Sequence, residues 1–584
     1  MKEKIHTSSN LFPFSPNSTD AWSMRLKFLF PHSLMILMVL GTFLISMEAR
    51  AQSPFERPLI TGLNGMVTSN HPLATAAGMR ILLKGGNAFD AAVAAAAATS
   101  VVQPWNSSLG GNGFATLYVA ASRQVRALNF FGTAPQAAKP GLFNKEKLNL
   151  GIMASPVPSN LRGYQEMLEK FGTMKLATVL EPAIELAEHG FLATADFVDQ
   201  VKRAEEIFKR FPTSARIFLP GGRVPEVGSL FVQEDYARTL RQIGERGPDD
   251  FYRGDLAQRI AKFYRDEGGI LGLEDLQKYQ ARWLEPLSIS YRGCVIYTQP
   301  PNSSAIAMLM QLNIMEGFDN KGLGHNTAPY LHRFMEAQRL SLADRNKFVA
   351  ASEAVPVPVA QLLSKTYARN QQGRIDPKRA VSSMGPGDPS STPGGSTTHL
   401  TVVDRAGNMV ALTQTLGGLF GSYVVVGDTG LFFSNQMRHM HLDPESPSQI
   451  RGGVRPRSNQ SPTIILKDGE AILALGTPGG DGIWQRLAQV IVNVLDFQMS
   501  IQDAISAPRF TYGGHQETGS SLAAEWNVED RIPKPVVDQL RSMGHKIKLV
   551  PSEGGGVNGI MRDPKTGALS GGADPRGVSY AFGY

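Results

Sequence analysis

Thr397 and Thr415 are the first residues whose types and spacing could do chemistry. Thr397-Thr398-His399-Leu400-Thr401-Val402-Val403-Asp404 alternates as a strand, Arg405-Ala406-Gly407 reads as a three-residue loop, and Asn408 to Thr415 alternates again. With Gly407 in the left-handed position of a G1-bulge loop, Asp404 faces Asn408, and counting back sets Thr397 roughly opposite Thr415. Cross-strand Cβ atoms lie about 5 Å apart, so the two hydroxyls could hydrogen-bond. Threonine is also simply a good strand former, and the hairpin alone leaves that plainer role open. Immediately upstream, residues 381–396 are dense in Gly, Pro and Ser, a loop of the kind where chain cleavage is easiest. Downstream, Gly476-Thr477-Pro478-Gly479-Gly480 follows a strand and precedes a helix. Paired glycine N–H groups without side-chain obstruction suit an oxyanion hole, and equally suit a helix cap or structural turn.

The elements that must carry these residues are legible from periodicity. Residues 65–87 start strand-like and turn helical, with Gly85-Gly86 as the stop. Residues 90–102 are so rich in alanine that a buried, tightly packed helix is expected. Residues 106–113 form a glycine-rich turn that lacks the Gly-Lys-Ser/Thr ending of a phosphate loop, and 114–119 reads as a strand. Apolar residues at three- and four-residue spacing predict helices at 176–189, 328–348 and 483–497. A hairpin is expected from 464–466 and 471–475 about Lys467-Asp468-Gly469-Glu470. Helices, then strands, then helices again make a layered α/β sandwich without internal repeats.

Composition removes several function classes. The chain has 584 residues, 42% of them hydrophobic, which is enough for a large core and excludes wholesale disorder. A single cysteine, Cys294, rules out an intramolecular disulfide framework and any cysteine-based metal site. Eleven histidines occur without an HExxH-type pair, so no metal or other cofactor is implied. A net charge of +7 with no basic run gives no reason to expect nucleic acid. Arg25 and Lys27, the apolar stretch 33–46 and small residues before Ala51 read as an export leader, residues 1–51, whose true start is Met24 if the polar first 23 residues are not translated. Its removal takes five basic and three acidic residues, so +7 becomes +5. A periplasmic or secreted enzyme, off the membrane once the leader is gone, is expected.

The stretch Thr397 to Asp404 with Gly407-Asn408 closely resembles the γ-glutamyltransferase (glutathione hydrolase) family. So do Gly85-Gly86-Asn87-Ala88-Phe89-Asp90, Leu109-Gly110-Gly111-Asn112-Gly113, Pro300-Pro301-Asn302-Ser303, Asn435-Gln436-Met437, Ser461-Pro462-Thr463, Ala507-Pro508-Arg509-Phe510 and Asp574-Pro575-Arg576, in family order over nearly the whole mature chain. The resemblance implies a four-layer αββα sandwich of the N-terminal-nucleophile hydrolase type, formed by two interleaved subunits after self-cleavage between Ser396 and Thr397. The large subunit would be residues 52–396, or 345 residues, and the small catalytic subunit 397–584, or 188, together a heterodimer. Cleavage would free the Thr397 α-amine, with a reference pKa of about 7.7–8.0, to take the proton from its own hydroxyl. Thr415 would hold that hydroxyl, and Gly479 and Gly480 would stabilise the oxyanion. The acyl-enzyme would then pass to water or an amine.

The substrate-binding positions depart from the family pattern. Phe131 stands where an arginine normally grips the substrate α-carboxylate, and His439 where an aspartate binds the α-amino group. Gly417 replaces an asparagine, Ser458-Asn459 replaces a serine pair, and Gln436 is retained. By resemblance the substrate is a small-molecule amide, γ-glutamyl compounds such as glutathione first, with Arg438, Arg455 or Arg457 as replacement contacts. The alternatives are an acylase-type amidohydrolase of the cephalosporin or glutaryl kind and an inactive exported binding protein. His399 shares an alternating face with Thr397, and a structural histidine is expected there.

Overall fold

The computed structural model describes residues 56–351, 353–381, 396–513 and 525–584. The expected leader and residues 382–395 of the expected cleavage loop lie outside the described residues.

Two seven-stranded sheets dominate residues Arg57–Tyr584. In chain order their strands are β1 (Ile60–Gly62), β2 (Gly65–Ser69), β3 (Asn112–Val119), β4 (Gln124–Phe130), β5 (Arg282–Leu284), β6 (Leu287–Tyr291), β7 (Cys294–Thr298), β8 (Ser396–Asp404), β9 (Met409–Gly417), β10 (Thr463–Lys467), β11 (Glu470–Gly476), β12 (Asn558–Arg562), β13 (Leu569–Ala573) and β14 (Tyr580–Gly583). One sheet runs β14-β2-β8-β9-β3-β4-β5, the other β1-β13-β12-β11-β10-β7-β6. Strands from both sides of residue 396 build each sheet.

Three buried clusters account for the layering. Met66, Val403, Met409, Ala411, Ile464, Ala474 and Ile560 fill the space between the sheets. The outer face of the β8–β9 sheet, with Leu400, Val402, Val410 and Leu412, is covered by helices α1 (Pro72–Leu83), α2 (Ala88–Val102), α3 (Leu176–Glu188) and α4 (Glu234–Arg246). The outer face of the other sheet packs Ile296, Ile465 and Leu473 under α5 (Ala305–Glu316), α6 (Ala328–Phe348), α7 (Gly482–Leu495) and α8 (Ile501–Ser506). Alternate residues of a strand face opposite sides, so each strand contributes to an inter-sheet core and to a helix-covered one. The architecture is the expected αββα sandwich.

Every one of the fifteen residues of α2 is buried. Its alanines let the helix lie close against the sheet, where larger side chains would hold it off. The helix start is fixed by a capping box: the Asn87 side chain accepts from the N–H groups of Phe89 and Asp90, and Asp90 accepts from the Asn87 N–H at 2.9 Å. The Ala88 N–H goes instead to Asp404 Oδ2 at 2.9 Å. Asp404 also accepts from the backbone and side-chain amide of Asn408, at 3.0 and 2.9 Å. One carboxylate thus closes the β8–β9 turn and ties it to α2. Gly407 sits at φ 86°, the left-handed conformation the expected loop demands.

The glycine-rich turn at 106–113 is a packing device. A Cβ on Gly110 would lie 2.3 Å from the Phe432 carbonyl oxygen, and one on Gly113 2.7 Å from that of Thr413. Cys294 is buried in β7, where burial raises its thiol pKa, as befits a packing residue.

Candidate active site

The β8–β9 register pairs Thr397 with Thr415, with an irregularity between Ser396 and Thr397. Thr397 Oγ1 lies 2.9 Å from Thr415 Oγ1. The Thr415 hydroxyl donates to the Ser396 carbonyl and accepts from the Gly417 N–H at 2.9 Å. A hydroxyl offers one proton and two lone pairs. With its proton on Ser396 and one lone pair on Gly417, Thr415 can only accept from the Thr397 hydroxyl, which fixes where that proton points and leaves the Thr397 oxygen's lone pairs available. Thr397 is buried, at 6% exposure.

His399, two residues on along the same face, has both ring nitrogens engaged by other threonines. Its Nδ1 lies 2.8 Å from Thr413 Oγ1 and its Nε2 3.0 Å from Thr401 Oγ1. Burial pushes its pKa down to about 3, so the ring is neutral and structural. Its ring fills the space over Gly476, where a Cβ would sit 2.2 Å from it. This contact brings the end of β11, and so the loop after it, to β8. Asn70 makes a second tie that the sequence did not signal. Its side chain accepts from the His399 N–H at 2.8 Å and donates to the Gly556 carbonyl at 2.8 Å.

After β11 the chain turns through Gly479 and Gly480, with φ 118° and 56°, into α7. Among the described residues neither of their N–H groups meets a protein acceptor. They stand just before a helix N-terminus, where the helix dipole favours negative charge. Asp481 follows, ion-paired with the buried Arg345 at 2.9 Å and hydrogen-bonded by Asn459, whose Oδ1 accepts from Arg345 at 3.2 Å. Burial raises the Asp481 pKa, but Arg345 and Arg457 outweigh it and hold the carboxyl ionised.

The segment 435–439 lies against the end of β9. Gly417, at φ 94°, passes so close that a Cβ would lie 2.5 Å from Asn435 Oδ1 and 3.3 Å from the Gln436 amide. Gln436 is buried, and its Oε1 has no partner among the described residues. His439 is half-buried. Burial, followed by the charges of Arg438 and Arg457, lowers its pKa to about 3. Ser458 is stitched to the chain at 302–304, its N–H on the Asn302 carbonyl at 2.9 Å and its carbonyl accepting from Ser304 at 2.7 Å.

Phe131 is fully buried and stacks on Phe114 with ring centroids 5.3 Å apart. Its carbonyl accepts from Arg455 Nε at 2.8 Å. The rest of that guanidinium is engaged by Glu353 at 2.6 Å and the Gln280 carbonyl at 3.0 Å. Arg455 is therefore a strut beneath Phe131 and not a replacement substrate contact. Arg438 lies closer in, its Nη1 2.5 Å from where a Gly418 Cβ would stand. Among the described residues no cluster of His, Cys, Asp or Glu could hold a metal ion.

Residues 74–584 match the family model described as gamma-glutamyltranspeptidase. The chain is 37% identical over 536 residues to the acylase ACY 1 proenzyme of Pseudomonas sp. (strain SE83), covering 89% of this chain and 93% of that protein. It is 35% identical over 535 residues to the glutathione hydrolase proenzyme of Escherichia coli (strain K12), covering 88% and 90%. Its fold is similar to the crystal structure of cephalosporin acylase from Bacillus halodurans, with a TM-score of 0.84, 33% identity and coverage of 92% and 98%.

Proposed function

The chain belongs to the gamma-glutamyltranspeptidase family and is an enzyme of the N-terminal-nucleophile hydrolase type, and from that premise we propose that Thr397 is its nucleophile. The observation that carries the reading is the Thr397–Thr415–Ser396 contact. In the uncut chain the Thr415 hydroxyl polarises the carbonyl of the very bond to be cut. Thr397 Oγ1 attacks the Ser396 carbonyl carbon, an ester forms as the Ser396–Thr397 amide bond breaks, and water hydrolyses the ester. The products are a Ser396 carboxylate and a Thr397 α-amine, giving a large subunit 52–396 and a small subunit 397–584 that stay together as a heterodimer.

The freed amine, near pKa 7.7–8.0, accepts the Thr397 hydroxyl proton as the oxygen attacks a substrate amide. Gly479 and Gly480 N–H groups receive the oxyanion, each such donor typically contributing about 3 kcal/mol. Collapse expels the amine product, which takes the proton back from the α-ammonium. The acyl group on Thr397 then passes to water or to an amine.

The acyl group in this reading is γ-glutamyl, as in glutathione, and the partnerless Gln436 Oε1 supports it as an acceptor for the substrate ammonium. A second reading, an acylase for acyl groups without an α-amine, is favoured by His439: a neutral ring near Arg438 and Arg457 gives an ammonium no counter-charge. Hydrolysis of a γ-glutamyl anilide beside a glutaryl anilide separates them, because the two differ only in the α-amino group. A higher kcat/KM for the γ-glutamyl compound upholds the first reading, and the reverse preference replaces it with the second. Residues 1–51 are proposed as a leader for export to the periplasm or medium. Among the described residues no helix is long and apolar enough to cross a membrane.

A further inference from the structure

Helix α7, Gly-Ile-Trp-Gln-Arg-Leu-Ala-Gln-Val-Ile-Val-Asn-Val-Leu, contains one charged residue, and it is fully buried. Arg486 forms a two-pronged ion pair with Glu553, Nε to Oε2 at 2.6 Å and Nη2 to Oε1 at 2.9 Å. Its remaining nitrogen, Nη1, donates to the carbonyls of Pro478 and Gly479 at 3.3 and 3.2 Å. The guanidinium occupies a sleeve of glycines. A Cβ on Gly479 would lie 2.2 Å from it, on Gly482 2.6 Å, and on Gly555 2.9 Å from Arg486 Cδ and Nε.

The two carbonyls belong to the peptide units 478–479 and 479–480. The N–H groups of those same two units are the ones on Gly479 and Gly480. In a planar trans peptide the N–H points opposite the C=O. A cation that draws both carbonyls to one side therefore turns both N–H groups to the other, and donation into a carbonyl strengthens the N–H of the same unit as a donor. Glu553 holds the guanidinium from behind, and Thr511 donates to Glu553 in turn.

We propose that Arg486 is a positioning residue for the oxyanion site, aiming and polarising the Gly479 and Gly480 N–H groups through their carbonyls. The inference rests on the reading above that these two groups receive the oxyanion. Arg486 touches no substrate. Its effect belongs to the transition state, where the oxygen carries charge, and not to the ground-state carbonyl.

The test pairs two variants of the processed enzyme. Arg486→Met with Glu553→Gln removes both charges together, so that no uncompensated ion stays buried. Arg486→Lys keeps a charge for Glu553 but cannot reach both carbonyls as well. The readouts are kcat, KM and the affinity of an alkylboronic acid that forms a tetrahedral anionic adduct on a threonine hydroxyl. Both variants are expected to lose about 30- to 100-fold in kcat with KM within about twofold, and boronate affinity should fall in parallel. In 15N-glycine-labelled wild type, two glycine amide protons should move downfield on boronate binding, and less so in either variant. Wild-type kcat with wild-type boronate affinity in whichever variant matures overturns the inference, as does a kcat loss with boronate affinity kept. If no glycine amide moves in the wild type, the oxyanion reading itself fails. If they move equally in wild type and variant, only the role of Arg486 fails.

Discussion

The Thr397–Thr415 hairpin and the wall that would meet the acyl group touch at Gly417, yet they are built by opposite means. Thr397 and Thr415 are opposed by register within one hairpin, and their contact needs nothing beyond a three-residue loop and an Asp404 clasp. The wall brings His439 near Arg438, Arg457 and Asp481 and sets Gln436 against Gly417, and it leans on Arg345, Asn302 and Asn459 from elsewhere in the chain. A centre made from backbone register keeps its chemistry while side chains around it change. A wall made from side chains changes what it admits with single substitutions. That division fits a family in which relatives carry both hydrolase and acylase names.

The largest effect expected from this contrast is at Thr397. Thr397→Ala should leave a single uncut chain on denaturing electrophoresis and lower amide hydrolysis by about 10⁴-fold or more. Thr397→Ser, which keeps a hydroxyl, should still mature. Two-chain maturation of the alanine variant would break the hairpin half of the comparison.

Next comes Thr415→Val, which deletes one buried hydroxyl without much change of volume. Loss of a hydrogen bond in the reacting array, about 1.5–3 kcal/mol, should reduce kcat by about 10- to 100-fold and slow maturation. Single-turnover kinetics measures this directly, and full turnover would mean the threonine pair is only strand packing.

On the wall, His439→Asp places a carboxylate near Arg438 and Arg457 where an ammonium would sit. Processing should be unaltered, while the ratio of γ-glutamyl to glutaryl anilide hydrolysis should rise about tenfold. An unchanged ratio would remove His439 from specificity and weaken the division between the two regions.

The smallest effect is on acid stability, where both regions act alike. His399 and His439 have folded pKa values near 3, against about 6.5 in an unfolded chain. Between those limits the unfolded chain binds more protons, so stability is complete above about pH 6.5 and is lost as pH falls toward 3. The fall in melting temperature from pH 7 to pH 5 should shrink by about 1–3 °C in His399→Asn. No change there would mean that His399 does not stay neutral inside the sandwich.

The hairpin was legible because its information is local: alternation, a left-handed glycine and a count of residues across a short loop. Helices 176–189, 328–348 and 483–497 were legible for the same reason, each carrying its own apolar stripe. Arg486 and Glu553 were not, being 67 positions apart with their partnership set by how α7 meets the loop at 553–555. The one available signal was a lone charge inside an apolar helix. Asn70 was missed because an asparagine after a strand reads as a turn residue, and its partners His399 and Gly556 come from two distant stretches. Phe131 could be aligned from its neighbours, but not that its ring stacks on Phe114 or that Arg455 braces its carbonyl.

That strands from both sides of residue 396 build each sheet has a consequence for the lifetime of a chain cut there as proposed. β8 lies between β2, from before residue 396, and β9, from after it. While the chain is whole, refolding is an intramolecular event at any dilution. Once it is cut, the two pieces must find each other before either sheet can be rebuilt, and recovery becomes concentration-dependent. A chain cut at that point would persist through the height of its unfolding barrier, held kinetically.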